Sequence, residues 1–75
     1  MGIGKRIKEA REIMGFTQKK LAELVGITGS AITNYENEVS HPKDIILFKL
    51  MKALQVDANY LFQDELIDLQ IKKDP

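Results

Sequence analysis

Gly29, Ser30, Thr33 and Asn34 fall on one face of a helix over 29–36, with Ile32 and Tyr35 on the face opposite. The outward side chains are short, polar and uncharged. An outward asparagine offers a carbonyl acceptor beside an amide donor, so Asn34 can make two parallel hydrogen bonds to a flat edge such as that of adenine, and the methyl of Thr33 can touch a thymine methyl. Residues 28–36 contain no arginine or lysine, the side chains that most often pair with guanine. Were this face to meet DNA, the contacts it offers would be few and would lean towards A·T. Gly29 permits close backbone approach, at a helix-propensity cost of up to about 1 kcal/mol relative to alanine. Other chemistries have little support. No nucleophile–base pair can be placed, there is no glycine-rich phosphate loop, and the single histidine, His41, has no cysteine or clustered carboxylate beside it. The expectation is a non-enzyme with no metal and no cofactor.

The elements that must hold this face read as five helices. Ile3, Ile7, Ala10 and Met14, with Ile13 beside them, predict a first helix over 3–14 that Gly15 ends in a left-handed conformation. Thr17 caps a second helix over 18–25, with Leu21, Leu24 and Val25 expected to face inward and Ala22 small enough for close packing. Lys20 stands where a capping box would need Glu or Gln. Gly26 ends that helix, Ile27 plugs the corner, and Thr28 caps the third helix, 29–36. After a polar loop from Asn37 to His41, Pro42 is expected in the first turn of a fourth helix over 43–54, buried through Ile46, Leu47, Leu50, Met51 and Leu54. Asp57 caps a fifth helix, with Leu61 and Phe62 closing the core; Leu66, Leu69 and Ile71 can extend it, and Lys72–Pro75 is expected to fray. Two short helices joined by a glycine turn at Thr17–Asn37 form a helix-turn-helix, in which the first helix braces the second at a steep angle.

A chain of 75 residues is one domain and buries only part of its surface. With no cysteine and one histidine, neither disulfides nor a metal can staple it, so packed helices must supply its stability. The lack of cysteine fits a reducing compartment, and with no apolar leader and no long apolar run in the sequence the expectation is a cytoplasmic chain. Formal net charge is zero, but residues 1–43 carry seven basic against five acidic residues, whereas 44–75 carry four against six. The first half is thus mildly positive.

The segments Phe16–Ala22, Val25–Thr28 and Ile32–Asn37, followed by Pro42, resemble the Cro/C1-type (lambda-repressor-like, XRE) helix-turn-helix domain. The resemblance spans about residues 3–63, leaving 64–75 as a C-terminal extension. It implies an all-α, compact five-helix lambda-repressor-like fold with the helix-turn-helix in helices 2 and 3. It also implies base contacts from Gly29, Ser30, Thr33 and Asn34. Thr17, Gln18, Thr28, Asn37 and Lys43 are the matching candidates for the DNA backbone. Arg11 and Glu36 match a buried structural ion pair, and Val56, Asp57, Ala58 and Leu61 a dimer contact. The family usually has glycine where this chain has Glu38, so a carboxylate is expected near the phosphate track, where it repels DNA slightly.

The function implied is sequence-specific binding of double-stranded operator DNA by a homodimeric, repressor-like regulator, with no membrane and no small-molecule ligand. A protein-interaction module of the same fold, such as an antitoxin or antirepressor-binding subunit, is the alternative. Zero net charge, Glu38 and the uncharged third helix favour it.

Overall fold

Ile3, Ile7 and Ala10 repeat at helical spacing and are all buried, and this stripe docks the first helix, α1 (Gly4–Ile13), on the core. The computed structural model describes residues 2–66, and the regular structure among them is all helical, with no strand. The chain continues through α2 (Gln18–Val25), α3 (Gly29–Glu36), α4 (Asp44–Leu54) and α5 (Ala58–Leu61), with a further helical turn over 63–66. One core gathers Ile3, Ile7, Leu21, Ile32, Leu50, Leu54 and Leu61, each at most 2% exposed. Each such side chain contributes about 1.5–3 kcal/mol when removed from water. Phe16, Ile27, Tyr35, Ile46, Leu47, Met51 and Phe62 pack around it half-buried.

Three caps start helices as their side chains dictate. Thr17 Oγ1 accepts from the Lys20 amide at 3.0 Å, Thr28 Oγ1 from Ala31 at 3.1 Å, and Asp57 Oδ1 from Tyr60 at 2.9 Å. Gly15 and Gly26 take the left-handed conformation that ends α1 and α2 (φ 75° and 82°).

Two helix-level expectations fail, those for Leu24 and Pro42. Leu24 is 49% exposed and Ile13 75% exposed. At roughly 100° per residue, Leu24 lies about 110° from the centre of the Leu21–Ala22–Val25 stripe, and Ile13 is similarly displaced from the Ile3–Ile7–Ala10 stripe. Both are apolar but on the wrong side. Pro42 is buried but precedes α4: Lys43 is its N-cap residue, in extended conformation (ψ 167°), and supplies no side-chain cap. Of the proposed extension, Leu66 is described and its amide donates to the Phe62 carbonyl at 2.9 Å; Leu69, Ile71 and Lys72–Pro75 lie outside the described residues. Among the described residues, no helix is long and apolar enough to cross a membrane, and no group of acidic, histidine or cysteine side chains is placed to hold a metal ion.

Candidate nucleic-acid interface

α3 carries the candidate reading face, and a polar chain fixes it to α1 and α2. Arg11 on α1 donates from Nε to Glu36 Oε2 at 2.7 Å and from Nη2 to Glu36 Oε1 at 3.2 Å. Its third donor, Nη1, reaches the Phe16 carbonyl at 2.9 Å. The two side chains are nearly dry, 11% and 2% exposed. Glu36 raises the Arg11 pKa above its ordinary value.

Gln18, the first residue of α2, continues the chain. Its Nε2 donates to Glu36 Oε1 at 3.0 Å, and its Oε1 accepts from the Thr33 hydroxyl at 2.9 Å. The same hydroxyl lies 3.1 Å from the Gly29 carbonyl. Gln18 is thus oriented at both ends of its amide, and one amide hydrogen remains for an outside acceptor. Thr33 is half-buried with its hydroxyl engaged inside the protein, which leaves its methyl as the group to offer outward.

Ser30 and Asn34 are exposed, and Gly29 is half-exposed beside them. A Cβ built on Gly29 meets no atom within 4 Å, so nothing inside the protein requires a glycine there. Of the backbone candidates, Thr17, Thr28, Asn37 and Lys43 are exposed at the ends of α2, α3 and α4, while Gln18 is half-buried. The structure brings Arg11, Gln18, Thr33 and Glu36 into one bonded chain, with Ser30 and Asn34 standing free on the outer face.

Glu38 has a partner inside the protein that the sequence reading did not include. Its Oε2 accepts from the Gly4 amide at 2.6 Å, so the carboxylate is turned to the start of α1. Among the candidate dimer contacts, Asp57 and Ala58 are exposed and Val56 is half-buried, but Leu61 is 1% exposed. Its side chain is spent on the core and has no surface left for a partner.

A second polar cluster escaped the sequence reading. Arg6 donates to Glu9 Oε1 at 2.9 Å and to Asp64 Oδ1 at 2.7 Å, and its guanidinium lies 5.9 Å from the centre of the Tyr60 ring. The Tyr60 hydroxyl donates to Glu9. The Tyr60 hydroxyl and Arg6 hold the Glu9 carboxyl below its ordinary pKa, and Arg6 does the same for Asp64. Burial, followed by Glu9, pushes the Tyr60 phenol up. Only the Arg6–Glu9 spacing was visible in the sequence; the partners on the far side of the chain were not.

Residues 7–61 match the model of the helix-turn-helix family. The chain belongs to that family, in its XRE or Cro/C1 branch. It is 41% identical over 61 residues to the HTH-type transcriptional regulator ImmR of Bacillus subtilis (strain 168), covering 81% of this chain and 48% of ImmR. The match thus spans less than half the length of ImmR, and in other curated relatives as little as 17%. Its fold superposes on the P22 c2 repressor bound to a synthetic operator with a TM-score of 0.77 at 33% identity, over 81% of this chain and 92% of that one. It also matches SinR, the master regulator for biofilm formation, solved in complex with DNA, with a TM-score of 0.72 at 31% identity, over 80% of this chain and 97% of the SinR chain in that structure.

Proposed function

We propose that this chain is the DNA-binding domain of a repressor-like transcriptional regulator acting in the cytoplasm, with α3 lying in the major groove of an operator. One observation carries the proposal. The exposed Ser30–Asn34 face belongs to a helix locked to α2 through Gln18 and to α1 through Glu36, so the face meets its partner already ordered. Solved relatives with the same fold are bound to DNA.

In this arrangement Gly29, Ser30, Thr33 and Asn34 meet base edges. Thr17, Gln18, Thr28, Asn37 and Lys43 meet the phosphate track, and the exposed Lys19 and Lys20 add positive charge beside it. Two copies pair through Val56, Asp57 and Ala58 to read two half-sites about one helical turn apart. Ile13, Val56 and Tyr60 line one shallow groove, so the exposed Ile13 lies beside that contact. Residues 1–63 form the binding domain, and residues 64–75 are its C-terminal extension.

The test is selection on random DNA and then a salt titration of the selected site. Contacts to phosphates make affinity fall steeply with salt, with a log–log slope of about −0.9 per phosphate neutralised. Failure to retard any DNA at low salt refutes the proposal. The protein-interaction reading has one observation in its favour: Ile45 and Phe48 on α4 are 69% and 66% exposed. It predicts weak DNA binding with no preferred sequence in the same experiment.

A further inference from the structure

We propose that Glu38 is a positioning residue: its carboxylate, seated against Gly2 and Gly4, latches the end of α3 to the start of α1 and so sets where Asn34, Asn37 and the 39–43 loop stand. The inference rests on the DNA-binding reading above and assigns a role to a residue that touches no base.

Three independent features meet at this point. The first is the bond itself. α1 has no side-chain cap of its own, and the Gly4 amide donates instead to Glu38 Oε2 at 2.6 Å, across 34 residues of chain. A carboxylate at a helix N-terminus is favoured by the helix dipole, and a charge-assisted bond is stronger than a neutral one.

The second is the seat. A Cβ on Gly2 would collide with the Glu38 carboxylate, and a Cβ on Gly4 would lie 2.5 Å from the Tyr35 carbonyl oxygen and 2.6 Å from that of Glu36. Gly4 therefore lets the start of α1 touch the last turn of α3, the reading helix.

The third is the backbone. Glu38 has φ 62°, a conformation that favours glycine. A glutamate is held there only when its surroundings compensate the strain, and here the side chain supplies that compensation.

The latch connects to the reading face through one further step. The amides of Val39 and Ser40 both donate to the Asn34 carbonyl, at 2.8 and 3.3 Å. The turn that carries Glu38 therefore folds back on the residue proposed to read a base. Releasing the carboxylate frees the turn, and with it the backbone at Asn34 and Asn37.

Two variants test this. Glu38→Gly relieves the strained backbone and removes the latch, whereas Glu38→Gln keeps an oxygen that can accept from Gly4. The latch predicts that Glu38→Gly stays helical by circular dichroism while the Gly4 amide exchanges with solvent about tenfold faster, the loss of one charge-assisted bond. Its Kd for the selected site rises about five- to tenfold with the salt slope unchanged, because geometry and not phosphate charge is lost. Glu38→Gln returns the Kd to within about twofold of the parent, the rescue expected when an acceptor is kept.

Binding by Glu38→Gly as tight as the parent overturns the proposal. So does tighter binding with a steeper salt slope, which would make Glu38 a simple repellent of phosphate. If the parent binds no DNA, the functional reading falls and amide chemical shifts of the free protein decide the latch. Changes in Glu38→Gly that reach Asn34, Asn37 and residues 39–43 uphold it, and changes confined to residues 2–4 and 38 refute it.

Discussion

Replacing Arg11 with methionine tests the polar chain at its root. The substitution keeps most of the apolar stem and removes all three bonds made by the guanidinium, two to Glu36 and one to the Phe16 carbonyl. Glu36 is then left 2% exposed with Gln18 as its one remaining side-chain donor among the described residues. Breaking a buried pair by removing one partner costs about 3–5 kcal/mol, because the surviving charge stays in a dry site. A domain of this length has a total stability of roughly 4–11 kcal/mol at about 0.05–0.15 kcal/mol per residue. The variant is therefore near the edge of folding at 37 °C. With about 4–8 °C of Tm per kcal/mol in a domain of this size, Tm falls by at least roughly 12 °C. Thermal melts and urea titrations monitored by circular dichroism measure both quantities. Adding Glu36→Leu removes the orphaned charge, and the double variant recovers most of the loss. A single variant that costs less than about 1 kcal/mol, the value of an exposed ion pair, refutes the claim that this pair is dry.

Asn34→Ala costs about 1–3 kcal/mol of binding on the selected site and relaxes preference at one base position, while Gln18→Ala weakens all sequences more evenly; competition assays on a panel of single-base variants separate the two. Gly29→Ala raises stability by up to about 1 kcal/mol, because the site has open space and no positive φ, yet weakens DNA binding if the backbone meets the groove there. Parallel melts and binding isotherms test the opposite signs, and an alanine that improves both removes Gly29 from the interface. Acid unfolding tracks the Glu9–Arg6–Asp64 cluster. Both carboxyl groups are held below their ordinary values of 4.5 and 3.8, so their contribution is present above those values and is lost as pH falls through the lowered folded-state values. Asp64→Asn flattens that acid limb and speeds exchange of the Leu66 amide, which hydrogen-exchange measurements across the pH range detect. Tyr60 acts at the other end: its pKa is raised by burial and by Glu9, so its contribution is complete below 10.0 and is lost as pH rises through the folded value.

The helices and three of their caps were legible because their causes are local. Thr17, Thr28 and Asp57 each bond an amide three residues ahead, and Gly15 and Gly26 stop helices by backbone conformation alone. Leu24 and Ile13 show where apolar character stops being informative. Each lies beside a correct stripe, and only the direction of the facing helix decides which flank is covered. The Arg11–Glu36 and Gln18 candidates came from the family pattern, and the bonded chain that joins them needed coordinates. Glu38 and Arg6 were opaque for a different reason. Their partners Gly4 and Asp64 lie 34 and 58 residues away, and no periodicity or spacing carries that information.

The uncharged face of α3 is best understood together with its rigidity. A short polar side chain such as Ser30 or Asn34 makes few contacts, and each is worth little if ordering the helix must be offset at the moment of binding. In this chain that ordering is completed during folding: Arg11 and Glu36 anchor the helix in the core, Gln18 ties its middle to α2, and Glu38 ties its end to α1. Three exposed lysines, Lys19, Lys20 and Lys43, lie outside α3, and the proposed function gives them the long-range attraction to DNA. On that proposal, attraction to the backbone and discrimination among bases fall to different residues. Salt should then change affinity far more than it changes the ratio between cognate and single-substituted sites. A cognate preference that collapses with salt as fast as the affinity does would place the discriminating contacts on the lysines and not on α3.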